Sequence, residues 1–263
     1  MSFSGRASTP AAARGELRTA GERRLVERVY ERCHQNILQA CAYSSVPPEF
    51  LGALTANESG GNAKAARFEP AVYRHLKAVA SGEAPAYAGI RAGELDAEIA
   101  EMLHPKAGDF HARFLTAPFA EQHRAEIAAL EEEALRELAS SWGFTQIMGY
   151  HLIGRKGTVR DLLDAAFNFR LAIELLAEFA GRYELDLARE FEEMFRCWNT
   201  GSPYGVTFDP EYARKGFCGW KSTGRLPGAQ AQRTGSPRPA SRAPERSVPA
   251  RGAGQTRRPR AAE

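Results

Sequence analysis

The chain has 263 residues, with 35 Lys+Arg against 32 Asp+Glu for a formal net charge of +3, and 43% of it is hydrophobic against 25% charged. That is the composition of a globular protein with a real core. No run of eighteen apolar residues is present, which excludes a transmembrane helix; no fixed period recurs, which excludes coiled-coil, collagen and repeat architectures; and Met1-Ser2-Phe3-Ser4-Gly5-Arg6 lacks the basic-then-apolar layout of a secretory signal.

In chain order, residues 1–18 are rich in Ala, Ser, Gly and Arg and read as a disordered leader. From about Ala20 to Ala42 the apolar positions Leu25, Val26, Val29, Tyr30, Ile37 and Leu38 follow helical spacing. Val46-Pro47-Pro48 separates that helix from a short second one, which Pro48 is suited to start and which runs out at Ser59-Gly60-Gly61-Asn62. Glu58 therefore stands at a helix C-terminus, facing the negative end of the helix dipole, where its carboxyl pKa is raised. The position is poor for stability and suits a proton donor.

From Val72 to Leu138 the pattern is mostly helical, with interruptions near Ser81–Ala88 and at His104-Pro105, and Ala125 to Leu138 reads as a strong helix. The stretch of about 70–139 forms a helical insert within a domain spanning 19–216. Two further helices are expected over Asn168–Tyr183 and Leu187–Phe195, paired antiparallel across a turn at Glu184-Leu185-Asp186. No convincing run of alternating strand residues appears, so the fold class is mainly α.

The charge is unevenly distributed. Ala213 to Glu263 holds 12 Lys+Arg and 2 Asp+Glu, or +10, which leaves 23 basic and 30 acidic residues, or −7, for Met1 to Tyr212. Residues 217–263 read as a disordered basic Gly/Pro/Arg-rich tail: either an arm for nucleic acid or another anionic polymer, or a segment without a role. Cys33, Cys41, Cys197 and Cys218 form no C-x-x-C pair and read as free thiols, with a pairing of Cys33 or Cys41 to Cys197 left open. The six histidines form no H-E-x-x-H and no carboxylate cluster, so no metal and no cofactor is expected, and neither a G-x-x-x-x-G-K-[ST] nor a G-x-S-x-G motif is present.

Three stretches combine hydrogen-bonding side chains, glycines and aromatics at helix boundaries: Asn57-Glu58-Ser59-Gly60-Gly61-Asn62, Ser141-Trp142-Gly143-Phe144-Thr145-Gln146-Ile147-Met148-Gly149, and Cys197-Trp198-Asn199-Thr200-Gly201. In this order they resemble the lysozyme-like superfamily, specifically lytic transglycosylases and the N-acetylmuramidase domains of phage endolysins. The Val46-Pro47-Pro48-Glu49 lead-in to Glu-Ser-Gly-Gly-Asn, the Gly-x-x-Gln-x-Met element at Gly143 to Met148 and the aromatic-Asn-x-Gly element at Trp198 to Gly201 carry the resemblance, which covers about residues 25–212. Two departures stand out. Glu58 and Gln146 lie 88 positions apart, a layout closer to the muramidases, in which an Arg-Phe-Glu element like Arg67-Phe68-Glu69 also follows the first glutamate. Trp198 stands where the family has tyrosine, and its indole lacks a phenolic hydroxyl.

The resemblance implies a lysozyme-like α+β fold with a glycan groove and cleavage of the bond between N-acetylmuramic acid and N-acetylglucosamine in peptidoglycan glycan strands. Glu58 would be the general acid, acting alone on the transglycosylase route. On a hydrolytic route Glu69 would be a second carboxylate, about 6.5–9.5 Å away if the mechanism inverts. Ser59 would orient Glu58, while Phe144, Thr145, Gln146, Met148, Trp198 and Asn199 would contact substrate. The residues themselves leave alternatives open: Glu69 as an ion-pair partner of Arg67 or Arg74, Gln146 and Asn199 as satisfied loop-capping amides, and Trp142 and Phe144 as core. A role at the cell wall also stands beside an N-terminus without a visible export signal.

Overall fold

The computed structural model describes residues 11–107 and 117–216. The chain is mainly helical. Helices α1 (Ala11–Cys41) and α2 (Pro48–Ser59) are followed by strand β1 (Ala66–Phe68), then by α3 (Pro70–Ala80), α4 (Ala92–Ala107), α5 (Ala117–Gln122) and α6 (Arg124–Leu138). Strands β2 (Ser140–Trp142) and β3 (Ile147–Met148) come next, then α7 (Ala165–Tyr183) and α8 (Phe191–Thr200), with single 3-10 turns at Gly149–Leu152 and Asp161–Leu163.

Helix α2 is the hub. Pro48 opens it with the missing N–H that a first helical position does not need, and Glu49 through Ala56 are all buried. Phe50, Leu51 and Leu54 share one core cluster with Ile37 of α1, Phe169 and Leu176 of α7 and Phe195 of α8. The Phe50 ring lies 4.7 Å from that of Phe195 and 5.5 Å from that of Phe191. The insert has a separate core, in which Leu76 and Val79 of α3 meet Leu95, Ile99 and Leu103 of α4 and Ala134, Leu135 and Leu138 of α6. This second cluster lets a long insert be accommodated without drawing on the core that holds α2.

Several expectations are corrected. Within the expected mainly α class, β1, β2 and β3 add a three-stranded antiparallel sheet that periodicity did not show, with Arg67 opposite Ser141 and Trp142 opposite Ile147. Two or three residues per strand are too few for alternation to register in sequence. The leader was expected to reach residue 18, but α1 begins at Ala11; its first ten residues and the tail at 217–263 lie outside the described residues. Helix α4 passes through His104-Pro105 and ends at Ala107. The last helix starts at Phe191 rather than Leu187, because Leu187 to Arg189 form a turn whose Glu190 amide bonds back to the Asp186 carbonyl. Cys33, Cys41 and Cys197 are buried free thiols, so the disulfide left open does not form; Cys218 is outside the described residues.

The turn between β2 and β3 is fixed by one buried amide. Asn168, fully buried on α7, accepts from the Thr145 amide (3.1 Å) and hydroxyl (2.8 Å) at Oδ1 and donates from Nδ2 to the carbonyls of Leu162 (2.9 Å) and Trp142 (3.3 Å). Gly143 lies against this arrangement at φ +73°, and a Cβ there would overlap the Leu162 carbonyl oxygen and the Asn168 amide. Two destabilising changes are therefore predicted. Asn168→Ala strands three buried groups and one part-buried carbonyl, and Gly143→Ala adds both a clash and a left-handed φ; each is expected to lower unfolding free energy by about 3 kcal/mol or more in urea titrations.

Candidate active site

Glu58 occupies the penultimate position of α2. Gly60 caps the helix in the left-handed region at φ +61°, with its N–H bonded to the Ala56 carbonyl, so the chain turns sharply away toward β1. The Glu58 side chain keeps some solvent-accessible area, yet its carboxyl group is enclosed by protein, and burial raises its pKa from 4.5 to about 7. Two weaker influences oppose that rise: a hydrogen bond from the Tyr212 hydroxyl and the positive charge of Arg67.

Tyr212 is the residue that sequence reasoning missed. Its ring is buried edge-on to Phe195 at 6.3 Å, and its hydroxyl donates to Glu58 Oε1. Asn57, one residue before Glu58, donates from Nδ2 to the Tyr212 backbone carbonyl (3.3 Å), so both ends of the tyrosine are tied to the end of α2. Burial and the adjacent carboxyl push the Tyr212 phenol well above its ordinary pKa, which keeps it a proton donor rather than a charge.

The three stretches singled out in the sequence converge here. Ser59 donates from its hydroxyl to the Phe144 carbonyl (2.6 Å), fastening the end of α2 to the β2–β3 turn across 85 residues of sequence. Trp198 of α8 donates from Nε1 to the Thr145 carbonyl (3.0 Å) in the same turn. The expected orientation of Glu58 by Ser59 is thus indirect: the serine hydroxyl is turned to Phe144, and Tyr212 is the side chain that bonds the carboxyl.

The remaining residues fall into two groups. Phe144 is buried with its ring 5.2 Å from Phe169, and Thr145 is fully buried on Asn168, so both build the floor of the turn. Gln146 sits at φ +53°; its Nε2 donates to the carbonyls of Gly143 (2.9 Å) and Ala65 (3.2 Å), and its Oε1 accepts from Ser141 (2.9 Å). Both amide hydrogens of Gln146 are therefore committed to bracing the turn against the segment before β1. Met148 in β3 is partly exposed and Asn199 on α8 is exposed, whereas Trp198 is partly buried against the core. Glu69 follows β1, and Arg67 Nη2 stands 2.6 Å from its Oε1, at an angle that is not that of a hydrogen bond. The structure pairs Glu69 with Arg67, whose charge also reaches Glu58.

No group of three or more His, Cys, Asp or Glu side chains able to hold a metal occurs among the described residues, and no helix among them is long and apolar enough to cross a membrane. Comparison with family models, with curated proteins and with solved structures finds nothing that matches this chain.

The raised pKa has a stability consequence. In the unfolded chain Glu58 ionises around its ordinary 4.5, in the folded chain around 7, so between these values the folded state binds more protons. Its contribution to stability is present below about pH 4.5 and is lost as pH rises through 7. His151, pushed down by burial to about 4, acts in the opposite sense, losing stability as pH falls from 6.5 toward 4. Glu58→Gln removes the first effect and leaves the second. The variant is expected to gain on wild type by on the order of 2–3 kcal/mol between pH 4 and pH 8 in denaturant titrations.

Proposed function

We propose that the chain cleaves the β-1,4 bond between N-acetylmuramic acid and N-acetylglucosamine in peptidoglycan, with Glu58 as general acid and then general base. The observation that carries this reading is the Glu58 carboxyl itself: a glutamate enclosed at a helix terminus, with a pKa near 7. A carboxylic acid that stays protonated near neutral pH is what leaving-group protonation of a glycoside requires. A catalytic glutamate ending a helix beside a small antiparallel sheet also fits the lysozyme-like resemblance carried by the three motifs.

In the first step Glu58 gives its proton to the glycosidic oxygen as the C1–O bond breaks, leaving an oxocarbenium-like sugar and a carboxylate. The carboxylate is then stabilised by the Tyr212 hydroxyl and the Arg67 charge, the two influences that lower its pKa. In the second step it takes the proton of the muramic C6 hydroxyl as that oxygen closes on C1, giving a 1,6-anhydro product and restoring the acid. Water does not enter the balance, and no second carboxylate is needed. Glu69, the second carboxylate that a hydrolytic route would call on, is ion-paired with Arg67, which favours the single-carboxylate route. Tyr212 supplies the phenolic hydroxyl that Trp198 lacks, from a different part of the chain.

The test is digestion of purified peptidoglycan by wild type and Glu58→Gln, with products read by mass spectrometry. Anhydro-muropeptides from wild type, falling by at least about a thousandfold in the variant, are expected. Reducing-end products would move the reading to hydrolysis, and binding to sacculi without release of fragments would replace the enzyme with a glycan-binding module. Tyr212→Phe removes a hydrogen bond that favours the carboxylate, so the alkaline limb of kcat/KM, where the acid is lost, is expected to move to higher pH. An unmoved limb would show that the phenol does not act on Glu58.

A further inference from the structure

Exposure alternates along the segment that links α8 to Tyr212. Tyr204, Val206 and Phe208 are 87%, 95% and 104% exposed, whereas Thr207 between them is buried. Isolated apolar side chains on a surface are ordinary, but three large ones stand out at alternate positions of this one short segment.

This segment is pinned rather than loose. The Tyr183 hydroxyl donates to the Gly201 carbonyl (2.7 Å), the Ser202 amide donates to Thr200 Oγ1 (3.2 Å), and the Gly205 amide donates to the Ser202 carbonyl (3.2 Å). Gly205 packs so closely on Thr200 that a Cβ would overlap its side chain, and the Thr207 hydroxyl donates to the Asp209 carbonyl (2.6 Å). The fold therefore holds three hydrophobic side chains outward at a fixed place instead of letting them collapse inward.

Charge tells what would cover them. The two acidic neighbours are each matched, Asp209 by Lys215 (2.5 Å) and Glu211 by Arg214. The described chain ends at Gly216, eight residues after Phe208, and residues 217–263 carry 10 Lys+Arg against 2 Asp+Glu. An apolar ledge directly preceding a strongly basic segment is complementary to an anionic lipid surface. Apolar insertion and electrostatic attraction to anionic lipid add to one another in holding a protein at a membrane surface. Nucleic acid would match the charge but gives an aliphatic side chain such as Val206 nothing apolar to enter, whereas Tyr and Phe beside it suit the headgroup–acyl boundary.

We propose that Tyr204, Val206 and Phe208 insert into an anionic lipid surface. This is independent of the glycosidase reading, since none of the three side chains touches Glu58 or Tyr212.

The experiment is co-sedimentation of the full chain with phosphatidylglycerol-containing and purely phosphatidylcholine vesicles at about 0.1 M salt. Binding to the anionic vesicles alone is expected. The combined variant Tyr204→Ser, Val206→Ser, Phe208→Ser should weaken it by about tenfold or more, and Arg257→Gln, Arg258→Gln, Arg260→Gln by several-fold. Far-ultraviolet circular dichroism should be unchanged in both variants. A single Phe208→Trp variant should show a blue-shifted emission on vesicle addition. Absence of binding to anionic vesicles, equal binding by the serine variant, or equal binding to neutral vesicles would overturn the proposal. It would also be overturned if the serine variant kept its vesicle binding but lost attachment to peptidoglycan sacculi, which would assign the ledge to glycan, or if nucleic acid rather than vesicles were retained.

Discussion

The arrangement around Glu58 depends on the buried amide of Asn168. Its four hydrogen bonds hold the Gly143–Gln146 turn against α7, and that turn is where α2 and α8 are both fastened, through Ser59 to the Phe144 carbonyl and Trp198 to the Thr145 carbonyl. A buried amide with every donor and acceptor engaged specifies one geometry, because any displacement leaves polar groups without partners in a low-dielectric interior. The end of α2, and with it the glutamate, is braced through that turn, in addition to the core packing of α2 and its bonds to Tyr212.

The glutamate is then held in conflict with its surroundings. Burial acts against its charge, while Tyr212 and Arg67 act for it, and the balance falls near neutrality. A group poised in this way costs stability where it is ionised and offers a proton where it is not, the usual compromise of a reactive site. Arg67 is shared between two carboxylates, standing 2.6 Å from Glu69 Oε1 while its charge also lowers the Glu58 pKa.

How much was legible in the sequence follows from the range of each interaction. Glu58 at a helix terminus could be read locally, from Pro48, the apolar positions and the glycine pair, and the helical content could be read from periodicity in the same way. The need for glycine at 143 could be guessed, but not its reason, which is Asn168 lying 25 positions on. Gln146 had been expected to contact a sugar because the motif draws attention to it, yet an amide beside a left-handed backbone is just as suited to bracing its own turn, and its bonds to Gly143 and Ala65 show that use. Glu69 allowed two readings from sequence; its contact with Arg67 is the ion pair. Tyr212 had no local signal at all. It belongs to no motif, stands 154 positions from Glu58, and reaches it only because the segment after α8 folds back over α2. The strands were invisible for a simpler reason, being two or three residues long.

The most direct measurement is the titration of the Glu58 carboxyl carbon by NMR on carbon-13-labelled protein, in wild type and in Tyr212→Phe. A wild-type pKa near 7 that moves higher when the phenolic hydroxyl is removed is expected. A wild-type value near 4.5, unmoved in the variant, would mean that Glu58 is an ordinary ionised carboxylate at neutral pH, and would contradict the proposal that it acts as the acid.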